Sequence, residues 1–329
     1  MKIIPRSLRA FFAQEVAGGV FLCCAAVIAL IAANSPISNS YQSLTESSAH
    51  FVNEILMAVF FFLVGLEIKR EFIFGELREP KKAALPIIAA LGGMTVPAII
   101  WALFTSGGAG WAIAMPTDIA LALGALALLG SRIDTSLKIF LLTLAISDDL
   151  FSIIVLGTFY SSSLSPIKIA STIGAVVLAF VIPTGDSKKL DRLIDFIHPW
   201  SAFLIVPLFA LVNIGVHIDF SILPTTLTSP IALALFIGRP IGKLVGITLF
   251  AWLAVKLKVA QMPASLSFKE IAGAGALAGM GLTVSLFIAE LALNDSASLD
   301  QVRVGLIIGA IISALLGIAI LRKFSSAQD

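Results

Sequence analysis

Ten stretches of about twenty mostly apolar residues, each the length a helix needs to cross a bilayer core, follow one another along this 329-residue chain. They run roughly over 15–34, 54–72, 84–105, 111–130, 137–160, 167–183, 199–216, 229–255, 270–292 and 302–321. The connections are short, and several carry turn chemistry such as Asn34-Ser35-Pro36 or Pro183-Thr184-Gly185. Charged residues make up 13% of the chain and the mean hydropathy is +1.02, against about 25% charged residues in a soluble domain. Such a chain would expose adhesive surface in water, whereas lipid solvates it. The expected fold class is therefore an all-α polytopic membrane protein with about ten transmembrane helices, forming a single integral-membrane domain over 1–329.

Residues 1–9 are basic and precede an apolar run over 16–33. That run exceeds the roughly 7–15 residue core of a cleavable signal, so it reads as an uncleaved first span. Cys23 and Cys24 are neighbours inside it and read as packing residues. The net charge of +2 gives no reason to invoke nucleic acid.

Basic residues near span ends stay on the cytoplasmic side during insertion, which tests the count independently. Lys2, Arg6 and Arg9 precede the first span, and Lys69, Arg70, Arg78, Lys81 and Lys82 surround the second connection. Arg132 and Lys138 fall in the fourth, Lys188, Lys189 and Arg192 in the sixth, and Lys256, Lys258 and Lys269 in the eighth, while Arg322 and Lys323 follow the last span. Together these are 18 of the 22 basic residues, and the odd-numbered connections hold only Lys168 and Arg303. One miscounted span would destroy the alternation. Both termini are expected in the cytoplasm, with the chain in a bacterial inner (plasma) membrane and lipid as its surroundings.

A charge at the centre of a membrane helix costs about 2.5–3.5 kcal/mol on insertion scales and is functional by default. Asp118 follows Met115-Pro116-Thr117 in the fourth span, Asp148 and Asp149 sit midway along the fifth, and Arg239 and Lys243 lie in the eighth. Consecutive helical residues point about 100° apart, so one aspartate of the pair can meet a cation in a cavity while the other meets a fixed positive group. Two such carboxylates titrate as a coupled unit, and a site that holds either protons or a hard cation is the minimum apparatus for exchange. Lys243 reads as the internal counter-charge; one lysine cannot balance three acids, so the excess negative charge needs a ligand. Arg239, one turn earlier, is open to two readings, a functional one and snorkelling to an interface.

Pro116 disfavours helix at Met115 and donates no hydrogen bond, and broken backbone at membrane depth requires protein or a water-filled cavity around it. The ninth span is weakened similarly by Gly273, Gly275, Gly279 and Gly281 ahead of Thr283. Interrupted spans at matching places in two halves point to an ion site built from half-helix ends. The expected plan is a pair of inverted repeats, about 84–160 and 229–321, each with its discontinuous helix in the middle, the two discontinuous helices crossing. Asp118, at the break, would offset the positive ends of the half-helices.

At these residues the chain resembles the bacterial NhaA-type sodium/proton antiporter family. The matching stretches are 57–71 (MAVFFFLVGLEIKRE), 116–120 (PTDIA), 126–132 (LALLGSR), 148–150 (DDL), and Ile237-Gly238 through Lys243. The resemblance covers nearly the whole chain. It implies electrogenic export of Na+ or Li+ in exchange for H+, serving pH and sodium homeostasis, with no cofactor and no enzymatic reaction. It further implies that Asp149 contacts the sodium ion, that Asp148 pairs with Lys243 or shares in binding, and that Thr117 and Asp118 lie at the crossing. Glu67, Arg70 and Glu71 would belong to a pH-responsive cation funnel. His198, in His198-Pro199-Trp200, also matches, although a lone histidine at a span entrance is more often structural.

Family members typically have twelve spans, and the two that would follow Tyr160 are missing, a loss that keeps downstream orientation unchanged. The position where the family often carries a histidine is Ala170. A homodimer is the assembly the resemblance implies, yet the connection over 34–53 reads as short for the hairpin used in dimer contacts. Two other readings compete: a sodium-coupled symporter of an organic anion, for which Ser, Thr and Asn near the breaks are sparse, and an intramembrane aspartyl protease, whose Gly-x-Gly-Asp signature is absent.

Overall fold

A computed structural model describes residues 6–108, 110–130, 133–160, 166–183, 187–218, 223–293 and 295–325, with side chains described from Phe12 onward except at 166–170 and 325. Lys2, Ser131, Arg132, the 161–165 link and the Thr184-Gly185 turn lie outside the described residues, as do the side chains of Arg6, Arg9, Lys168 and Ala170.

The described chain is built of helices: α1 (Arg6–Ala33), α2 (Ser38–His50), α3 (Met57–Ile73), α4 (Pro80–Thr105), α5 (Ile119–Ala127), α6 (Thr135–Phe159), α7 (Pro166–Val181), α8 (Ser187–Trp200), α9 (Val206–Asn213), α10 (Leu223–Leu227), α11 (Pro230–Ile237), α12 (Lys243–Lys256), α13 (Phe268–Leu277), α14 (Thr283–Ala292) and α15 (Ser296–Ser325). Wide π-type turns at Phe51–Leu56, Ser201–Ile205 and Gly238–Gly242 fuse α2 to α3, α8 to α9 and α11 to α12.

Among the described residues, seven continuous helices are long and apolar enough to cross a membrane: Phe12–Ala33, Ser38–Ile73, Pro80–Thr105, Thr135–Phe159, Ser187–Asn213, Pro230–Lys256 and Ser296–Phe324. Shorter apolar helices at Trp111–Ala127, Ser171–Val181 and Thr283–Ala292 fall on the fourth, sixth and ninth expected spans. The chain is an all-α polytopic membrane protein. The connection expected over 34–53 differs: it is largely helix α2, continuous with α3. No Gly or Pro occurs between Ile37 and Leu56, so nothing interrupts the helical hydrogen bonding, and the polar α2, which has no buried residue, prolongs the span.

Two close contacts set the frame for the interior charges. Gly92 of α4 and Gly246 of α12 pack backbone to backbone; a Cβ on Gly246 would lie 2.1 Å from the Gly92 carbonyl oxygen. That approach brings α12, and Lys243 at its start, against α4, which also packs on α6. On the other flank, a Cβ on Gly19 of α1 would lie 2.4 Å from the Ala120 oxygen, so α1 lies directly on α5. Helix α15 covers α11 and α13, and α7 covers α3.

Candidate ion site where two interrupted helices meet

Both expected interruptions are present. After a short turn at Trp111–Ala114 the chain runs extended through Asp118 before α5 starts, and between α13 and α14 residues 278–282 leave the helix. The breaks lie against each other, with the Asp118 amide donating to the Met280 carbonyl at 3.2 Å. Asp118 is the N-cap of α5. Its Oδ1 accepts from the Leu121 amide at 3.4 Å and its Oδ2 from the hydroxyl of Thr283, first residue of α14, at 3.0 Å. One carboxylate thus faces the positive ends of two half-helices.

Thr117 adjoins the ion pair. Lys243 Nζ donates to Asp148 Oδ2 at 2.8 Å and to Thr117 Oγ1 at 2.6 Å, and neither Lys243 nor Asp148 has any exposed side-chain surface. The single Thr117 hydroxyl proton has Asp148 Oδ2 at 2.6 Å and the Ala278 carbonyl at 3.1 Å as acceptors. Asp148 is thus paired with Lys243. Its neighbour Asp149 instead lines a cavity of about 80 Å3, together with Asp118, Thr117, Thr283, Glu67, Glu15 and His198. That is more than the roughly 10–15 Å3 one water requires. Among the described residues, the buried oxygens Oδ1 of Asp149 and Oε1 of Glu67 have no hydrogen-bond partner, so two acceptors stand ready beside this space. Among the described residues, no group of three or more His, Cys, Asp and Glu is arranged for a resident metal.

At the far end of the cavity His198 is buried, its Nε2 2.5 Å from Glu15 Oε1. Arg70 and Glu71 pair at 3.6 Å, and Glu71 Oε2 accepts the Glu76 amide at 3.1 Å, which ties the turn after α3. Of the candidates for a pH response, Glu67 and His198 line the cavity, while Arg70 and Glu71 pair on the same helix as Glu67.

Arg239 corrects the snorkelling alternative. It is fully buried, and its guanidinium donates to the Gly279, Ile113 and Pro116 carbonyls and to Ser285 Oγ at 2.7–3.0 Å. Snorkelling needs a reachable interface, whereas the breaks leave carbonyls that no helix satisfies. Sequence reasoning missed two partners. Glu15 stands at the edge of the first span, where a charge reads as interfacial, and Ser285 carries no signal apart from its neighbours.

Comparison with known proteins gives the family. The family model described as Na+/H+ antiporter 1 matches residues 9–171 and 166–321. A relative named Na(+)/H(+) antiporter NhaA from Shewanella baltica (strain OS195) is 39% identical over 377 residues, covering 95% of this chain and 97% of the relative. One from Shewanella sp. (strain MR-7) is 38% identical over 388 residues, covering 99% and 100%. Na(+)/H(+) antiporter NhaA 2 from Pseudomonas savastanoi pv. phaseolicola is 40% identical over 375 residues, covering 97% and 95%. These alignments are longer than the 329-residue chain itself, so the relatives contain a segment absent here. The two pieces of the family match overlap at 166–171, the start of α7, directly after the link where two spans were expected to be missing. The chain belongs to the Na+/H+ antiporter 1 family.

Proposed function

We propose that this protein is a sodium/proton antiporter of the bacterial inner membrane, exporting Na+ or Li+ electrogenically while protons enter. The observation that carries the reading is the division of labour between adjacent acids: Asp148 is held by Lys243 and Thr117, while Asp149 faces the cavity with an unpartnered oxygen. Asp149 binds the cation, and Asp118 with Thr117 and Thr283 supplies further oxygen atoms beside it. Protons and Na+ compete for the same carboxylate, so loading one displaces the other. No bond of a substrate is made or broken, and no cofactor enters.

The basic residues around the start of α1 and after α3 support a cytoplasmic position for Glu15 and Glu67, with both termini on that side. Alternating access carries the loaded site from the cytoplasmic face to the opposite one. Glu67, Arg70, Glu71 and His198 form the entry and adjust it to cytoplasmic pH. The repeats, about 84–160 and 229–321, move as one body, supported by the packing of α4 on α12 and the meeting of their breaks. Each chain contains a whole site, so the homodimer implied by the resemblance is not needed for transport. Organic-anion symport finds no support among relatives named as Na(+)/H(+) antiporters.

Everted membrane vesicles test the reading. Adding Na+ or Li+ to vesicles holding an acid interior dissipates the gradient; a gradient that survives both cations contradicts antiport.

A further inference from the structure

A fully buried arginine at membrane depth needs partners, and Arg239 forms no ion pair among the described residues. Its partners are neutral oxygens at both interruptions: Gly279 O at 3.0 Å, Ile113 O at 3.0 Å, Pro116 O at 2.7 Å and Ser285 Oγ at 2.7 Å. The Gly279 carbonyl lies just past the end of α13, where a helix C-terminus is partly negative, and the Ile113 and Pro116 carbonyls come from the short turn and extended stretch before α5. The space is cut to its shape. A Cβ on Gly281 would lie 2.1 Å from Arg239 Nη2 and 2.4 Å from Pro116 O, so no side chain fits there.

The anchored residues flank those that face the ion. Pro116 precedes Thr117, and Gly279 lies between Ala278, a Thr117 acceptor, and Met280, which accepts from the Asp118 amide. Lys243, one turn further on, reaches neither set of break carbonyls; its contacts are Asp148 and the Thr117 hydroxyl. We propose that Arg239 is a positioning residue for the ion site. It clamps the two interruptions into one unit and fixes Thr117 and Asp118, which leaves the Lys243 ammonium to Asp148 and the Thr117 hydroxyl. A planar fork reaches acceptors in several directions at once; a lysine ammonium is a single point on a flexible stem.

This rests on the antiport reading, so the test carries a readout independent of it. Native chain, Arg239→Lys and Ser285→Ala are purified and reconstituted in proteoliposomes. Turnover and apparent KM for Na+ are measured per folded transporter across the neutral to alkaline range. Hydrogen exchange is followed without Na+ over 113–118 and 278–283. For Arg239→Lys the expected result is an apparent KM raised about tenfold, a displaced pH profile, and faster exchange in both segments together. Ser285→Ala moves the same quantities less. Native KM and pH profile in folded Arg239→Lys, activity falling only in step with folded protein, or exchange rising in one segment alone overturns the assignment. If Arg239→Lys does not fold, Ser285→Ala decides by the same criteria. A native chain that moves no protons on Na+ addition refutes antiport, and coupled exchange in the two segments still decides the clamp.

Discussion

Lys243 and Asp148 meet at 2.8 Å with neither side chain exposed, and the Thr117 hydroxyl closes a triangle at 2.6 Å from each. Buried ions are costly to desolvate, and the pair persists because each charge meets the other in good geometry. The next residue, Asp149, is turned away by the helical step and faces the cavity. Two adjacent acids in one span therefore stand in different surroundings.

Breaking the pair from either side destabilises the protein. Lys243→Met leaves a buried carboxylate and Asp148→Asn a buried ammonium, and removing one partner of such a pair costs about 3–5 kcal/mol. The double variant recovers a large part of that loss, since no uncompensated charge remains. Thermal unfolding in detergent checks this: single variants as stable as the native chain would contradict the geometry.

Asp149→Asn behaves differently. One of its oxygens has no partner among the described residues, so the variant folds with nearly native stability and loses exchange. Saturating Na+ stabilises the native chain by about 2.7 kcal/mol at a concentration one hundred times Kd, and Asp149→Asn by nothing comparable. A sodium-dependent rise in its melting temperature equal to that of the native chain would move the binding locus elsewhere.

Competition fixes the sign of the pH dependence. Because a proton and a cation exclude each other at the site, raising pH removes the competitor and lowers the apparent KM for Na+. With one competing proton the fall approaches about tenfold per pH unit while the site is mostly protonated, and it levels off once the proton is gone. Initial rates of Na+-driven proton movement at several pH values measure the slope. A KM independent of pH throughout is the contrary outcome.

The contact between α4 and α12 is equally exposed to test. Gly246→Ala places a methyl 2.1 Å from the Gly92 carbonyl, backbone that cannot rotate away. The helices must part, at a cost of about 1–3 kcal/mol, and Lys243, one turn away, shifts from Asp148. Lower thermal stability together with weaker transport is expected, whereas Thr248→Ala on the same helix, whose hydroxyl bonds only to Leu244 of its own turn, leaves both near native.

Much of this could be read from residue order alone because membrane physics is restrictive. Apolar length set where the spans lie, and Pro116 and the glycines before Thr283 marked both interruptions. Charges in the middle of spans singled out Asp118, Asp148, Asp149 and Lys243, all of which gather at the breaks. What escaped depended on three-dimensional neighbours. The helical course of α2 was hidden by its polar composition, although the absence of Gly and Pro permitted it. Arg239 was ambiguous because a sequence does not say whether a long side chain turns toward lipid headgroups or toward broken backbone. Glu15 and His198 lie 183 positions apart, and no local pattern links them.

Calorimetric titration of Na+ into the purified protein, repeated in buffers of different ionisation enthalpy, counts the protons released on binding. Competition at Asp149 predicts proton release with each sodium bound near the middle of the working pH range, absent in Asp149→Asn. Sodium binding with heats that do not depend on the buffer would contradict exchange at a shared carboxylate.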